Sequence, residues 1–170
     1  APMAASHFSA TAYVIGEDPT SLDVFRRQIL RLRRLLAERG LRDRRLMITE
    51  FGVAHGRVDE QRVRDFLDAT TRFLNSATDP DIGCSNDSDR LVQRWAWFTA
   101  HPLGPLEKLQ RLGLGSFRVR LGQTSLFDRN GELNALGLAY RRAVWRARGA
   151  TPKEALHESP TTRNTRAGKG

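Results

Sequence analysis

Apolar residues recur along this chain in two rhythms, and stretches of the two alternate. Leu22, Phe25, Ile29, Leu32 and Leu36 advance by three or four residues, with Arg26, Arg27, Arg31, Arg33, Arg34 and Arg39 set between and after them. That spacing gathers the apolar set on one face of a helix and predicts the arginines on its solvated side. Thr20 or Ser21 is suited to cap its start, and Gly40 to stop it after Arg39. Val63, Phe66, Leu67, Thr70, Phe73 and Leu74 predict a second helix, begun at Asp59 and ended by Thr78-Asp79-Pro80. Leu136, Ala139, Tyr140, Ala143 and Val144 predict a third, from about Ala135 to Arg148.

Shorter runs between them read as strands: Ser9 to Ile15, Arg45 to Glu50, and Leu91 to Phe98. The polar stretch Asp79 to Asp89 is expected to be an exposed loop. Thr99 to Thr124 forms a long connection, a length that points to function or partial order. Ser125 to Asp128 is a short extended piece entering the turn Asp128-Arg129-Asn130-Gly131. Residues 149–170 are polar and rich in Pro, Thr, Arg and Gly, which predicts a disordered basic tail behind a folded portion at 1–148.

Strands alternating with helices predict an α/β fold with parallel pairing. Neither GxGxxG nor GxxxxGK[ST] occurs, so the phosphate-cradling nucleotide folds are not indicated. The 170 residues allow one real core but not a complete (β/α)8 barrel, which takes about 250. Three units of this kind fit best as the last three βα units of a partial (β/α)8 (TIM) barrel.

Net charge changes this picture less than its size of +9 invites. The positive charge is almost all arginine, much of it between Arg26 and Arg45 on an amphipathic stretch without interleaved aromatics, so specific nucleic-acid binding is not expected. No apolar run approaches the roughly 20 residues of a membrane span. The first residues have neither the charged nor the apolar region of a signal peptide. The single cysteine, Cys84, excludes an internal disulfide and a Cys-based metal cluster, and reads as a loop thiol without a role. His7, His101 and His157 have no partners at metal-ligand spacing, so neither a metal nor another cofactor is expected.

Candidate chemistry concentrates at Glu50. Strand alternation places Leu46, Ile48 and Glu50 on one face, and an ionisable group ending an apolar parallel strand sits where barrel enzymes keep catalytic groups. Burial at such a rim perturbs a carboxylate's pKa in ways catalysis uses.

Three strings occur in order: Met47-Ile48-Thr49-Glu50-Phe51-Gly52, Arg94-Trp95-Ala96-Trp97-Phe98, and Ser125 to Tyr140. Over about Ala10 to Val144 they resemble the end of the retaining (β/α)8-barrel glycoside hydrolases, and most of all the Asl1-like glycosyl hydrolase family, which includes β-1,3-glucan hydrolases. The resemblance implies a polysaccharide substrate of β-glucan type, with Glu50 as the nucleophile of a covalent glycosyl-enzyme. It implies Trp97 as an aromatic floor under the sugar, with Trp95 deeper in the core. Tyr13 matches a tyrosine that hydrogen-bonds the nucleophile in such enzymes, although Thr11 stands where a histidine is common. His55, in the loop after Glu50, is a further substrate-contact candidate. The acid/base of such enzymes is a Glu after Asn at the end of strand four, and this chain has no Asn-Glu pair. That carboxyl is therefore expected in a missing N-terminal part of the barrel, and the chain alone is expected to be inactive. Glu17 and Asp18 would lie at the mouth, but the family does not use them. An extracellular or cell-envelope setting is what the resemblance implies. Two other readings stay open: a non-catalytic carbohydrate-binding remnant, and a basic nucleic-acid-binding protein.

Overall fold

A computed structural model describes residues 16–53, 58–101 and 124–147. The strand expected at 9–15 and the tail expected at 149–170 lie outside those residues. Ser21 opens α1 (Leu22–Glu38), its Oγ accepting from the Val24 amide at 3.3 Å. This satisfies one of the donors that a first helical turn leaves over. The helix stops at Gly40, whose φ is +69°. There the Gly40 amide donates to the Ala37 carbonyl at 2.9 Å and the Leu41 amide to the Leu36 carbonyl at 2.8 Å. Those two bonds make a Schellman motif, which needs the left-handed backbone that glycine adopts freely. Asp59 caps α2 (Glu60–Ser76), accepting from the Gln61 and Arg62 amides at 2.8 and 3.3 Å. Asn134 precedes α3 (Ala135–Ala147), and its Oδ1 accepts from the Gly137 amide at 2.9 Å.

β1 (Met47–Phe51) and β2 (Arg94–Trp97) pair in parallel, with α2 between them in the chain. Met47 stands opposite Arg94, Ile48 opposite Trp95, and Phe51 opposite Trp97. Between the last two pairs β1 advances three residues and β2 two, so β1 carries one extra residue. This corrects the simple alternation. Phe51, not Glu50, follows Ile48 toward the core, and Glu50 is left exposed. The third strand is also shorter than predicted: Leu91 and Val92 are buried (2% and 1% exposed) yet precede the sheet.

Each helix sends an aromatic ring onto the same side of this sheet. Phe25 of α1 lies 5.4 Å from Phe51, Phe66 of α2 lies 6.4 Å from Trp97, and Tyr140 of α3 lies 5.9 Å from Trp95, centroid to centroid. Full burial of a phenylalanine ring, as at Phe66, stabilises a fold by about 1.5–3 kcal/mol, and the half-buried Phe25 and Tyr140 contribute less. On the other side Met47 is 61% exposed, and Thr49, Glu50, Arg94 and Ala96 are exposed with it. Parallel sheets are ordinarily covered on both faces. The described residues thus form a mixed α/β arrangement of three helices and a two-stranded parallel sheet whose second face is open among them.

Two expectations about charge and loops are overturned. Arg33, expected on the solvated side of α1, is fully buried. Its position lies four residues after Ile29 and three before Leu36, which puts it on the buried stripe. Its guanidinium donates to the backbone carbonyls of Leu91, Arg90 and Arg44 and to Gln93 Oε1, the last at 2.6 Å. Burial pushes its pKa down, with Cys84 and Asp87 acting against that. Nor is the stretch from Asp79 to Asp89 a loose exposed loop. Asp79 Oδ1 accepts from the Asp81 and Ile82 amides, Arg42 donates to the Gly83 carbonyl and to Asp89, and Cys84 is fully buried.

Candidate active site

Glu50 is the penultimate residue of β1, at the carboxyl end of a parallel strand. The backbone just after it is tightly fixed. Phe51 is buried, and its carbonyl accepts from the Phe98 amide at 2.8 Å just past the end of β2. Gly52 passes so close to the Phe98 carbonyl that a Cβ there would collide with it. That same carbonyl accepts from the Thr124 hydroxyl. The ends of β1 and β2 and the start of the segment at 124 are thereby held together around one carbonyl group. Glu50 itself is exposed and has no hydrogen-bond or ion-pair partner among the described residues. The burial expected at a barrel rim is therefore not found at Glu50 among them. An exposed carboxylate at a strand end can attack an electrophilic carbon or take a proton.

The two tryptophans exchange the depths expected of them. Trp97 is 7% exposed, meets Phe51 edge-on at 5.2 Å, and donates its indole N–H to the Thr124 carbonyl at 2.7 Å. Trp95 is only half-buried, donates to Asn75 Oδ1 at 2.9 Å and meets Tyr140 edge-on. Trp97 thus belongs to the core, whereas a sugar floor needs an exposed ring face. Burial also raises the Tyr140 phenol's pKa.

Tyr13 and His55 lie outside the described residues. Glu17 and Asp18 are both engaged. Glu17 pairs with Arg27 at 2.7 Å. Asp18 accepts from the hydroxyl and amide of Thr20 and pairs with Arg62 of α2. The Thr20 hydrogen bonds, together with Arg62, hold the Asp18 carboxyl below the usual range. A depressed pKa suits a helix-end anchor rather than a general acid. His101 stacks on Phe127 with ring centroids 4.8 Å apart. Among the described residues no group of three or more His, Cys, Asp or Glu side chains could hold a metal ion. No helix among them is long and apolar enough to cross a membrane.

Sequence reading gave no role to Thr124, the last residue of the long connection, or to Ser125, the first of the extended piece after it. Both are buried, and Ser125 Oγ donates to the Phe127 carbonyl at 2.6 Å while Leu126 pairs back onto Thr99 and Ala100. The available signal was their place immediately before the apolar pair Leu126-Phe127. No protein-family model, no curated protein and no solved structure matches this chain.

Proposed function

We propose that this chain carries the nucleophile-bearing end of a retaining (β/α)8 glycoside hydrolase acting on β-glucan-like polysaccharide, with Glu50 as the nucleophile. The observation that carries the reading is the position of Glu50: an exposed carboxylate, without a partner among the described residues, at the carboxyl end of a parallel strand, followed by the closely held Phe51 and Gly52. Active sites of barrel enzymes gather at that end of the strands. The order of the three strings at 47–52, 94–98 and 125–140 adds to it, as does a parallel sheet whose helices, among the described residues, lie on one side.

Retention requires two carboxyls about 5–5.5 Å apart, one attacking the anomeric carbon while the other protonates the departing oxygen. Glu50 supplies the first. The second comes from the remainder of the barrel, so activity belongs to the longer protein. The test is expression of the chain extended upstream, with hydrolysis of laminarin-like β-glucan measured for wild type and Glu50→Gln. Loss of turnover in the variant is expected. Undiminished hydrolysis by Glu50→Gln refutes the assignment.

A further inference from the structure

Among the described residues a single aromatic ring is exposed, and it stands at the same end of the sheet as Glu50. Every described phenylalanine, tyrosine and tryptophan is buried or half-buried, whereas His101 is exposed. Gly52, two residues after Glu50, meets the Phe98 carbonyl and the Thr124 hydroxyl where β1 and β2 end. His101 lies three residues beyond Phe98, and Phe127 three beyond Thr124. Three residues reach at most about 11 Å, so the stacked pair stays near that junction. Both rings are mounted on fixed backbone. The Ala100 carbonyl accepts from the Leu126 and Phe127 amides, each at 3.0 Å, and the His101 carbonyl accepts from Thr99 Oγ1 at 3.1 Å. The Phe127 carbonyl accepts from Ser125 Oγ at 2.6 Å, and its ring packs against the core. The two rings lie within 16° of parallel with centroids 4.8 Å apart, so Phe127 covers one face of the imidazole and braces it.

We infer that His101, braced by Phe127, is a sugar-contacting platform at the Glu50 end of the sheet, taking the pyranose C–H face of a neutral β-glucan. The inference rests on the reading of Glu50 as a glycosidase nucleophile. A flat ring removes the C–H face of a sugar from water, and ligand sites combine such surface with a few polar groups. An imidazole supplies both, since its ring nitrogens can exchange hydrogen bonds with hydroxyls. Trp97, which the resemblance puts in this role, is buried in the core, and no other described aromatic ring is exposed. A ring already held by its neighbour also has less rotamer freedom to lose when a ligand binds.

The test measures binding of laminari-oligosaccharides by calorimetry to the chain extended upstream, in a Glu50→Gln background so that no sugar is turned over. The chain with His101 is compared with His101→Ala, with His101→Gln, which keeps hydrogen bonding without a ring, and with His101→Trp, which keeps a ring. Thermal melts check that each variant folds, and covalent labelling of Glu50 by a fluoroglycoside is followed separately with Glu50 intact. Affinity is expected to fall about five- to tenfold in His101→Ala and His101→Gln, and to be kept or raised in His101→Trp. Unchanged affinity in His101→Ala, with Glu50 labelled, would overturn the platform and leave the glycosidase reading intact. Full affinity in His101→Gln would assign the contact to hydrogen bonding and overturn the stacked ring. No oligosaccharide binding with His101 in place overturns it as well. The expected order of affinities without labelling at Glu50 supports the platform and removes the nucleophile reading.

Discussion

The indole N–H of Trp97 donates to the Thr124 carbonyl at 2.7 Å, joining the end of β2 to the segment that leads into α3. The bond is buried, and the same segment returns a hydroxyl from Thr124 to the Phe98 carbonyl. Trp97→Phe keeps an aromatic ring in the core but leaves the Thr124 carbonyl unsatisfied. A loss of about 1–3 kcal/mol in chemical denaturation is expected. Glucan binding by the folded variant should be unchanged, which separates a packing role from a sugar floor.

Arg33 ties α1 to the entry of β1 through the Arg44 carbonyl and to that of β2 through the Arg90 and Leu91 carbonyls and Gln93. Arg33→Ala removes every one of those donors and opens a cavity beside Leu36. It should cost at least about 3 kcal/mol by denaturant titration. Arg33→Lys should recover only part of that, because an ammonium cannot reproduce the planar fork.

Asp68 joins α2 to α3 by pairing with both Arg72 and Arg146. Burial pushes its pKa up, but the two arginines outweigh this and hold it below the ordinary value of 3.8. A depressed carboxylate stabilises the fold above its unfolded pKa, and that contribution is lost as pH falls through the lowered folded value. The gap in melting temperature between wild type and Asp68→Asn should therefore be present at about pH 6 and shrink toward pH 3 and below. A gap independent of pH would mean that the arginine pairs contribute nothing.

Much of the fold is legible because its signals are local. Ser21, Gly40 and Asp59 mark helix ends through hydrogen bonds within a few residues, and the structure uses all three. The buried place of Arg33 is misread from sequence: its spacing from Ile29 and Leu36 sets it on the apolar stripe, but acceptors far along the chain, at Arg90, Leu91 and Gln93, decide its burial. The extra residue in β1 is not legible either. It exists because Phe51 is drawn under Phe25 and Trp97, contacts that no local alternation encodes. The folded stretch around Cys84 was hidden for the same reason, as it is held by Arg42, 41 residues from Gly83. Of the candidate site, the strand-end position of Glu50 could be read directly. The depth of Trp97 could not, because it depends on the distant Thr124.

The role proposed for Glu50 is to form the covalent bond to sugar. The most direct measurement uses the chain extended upstream, treated with a 2-deoxy-2-fluoro-β-glucoside or oligoglucoside bearing a good leaving group, then digested and mapped by mass spectrometry. The fluorine slows hydrolysis of the glycosyl-enzyme, so the nucleophile stays labelled. A single fluoroglycosyl adduct on the peptide containing Glu50, absent from Glu50→Gln, is the predicted result. An adduct on another carboxylate, or β-glucan hydrolysis by Glu50→Gln at the wild-type rate, would contradict it.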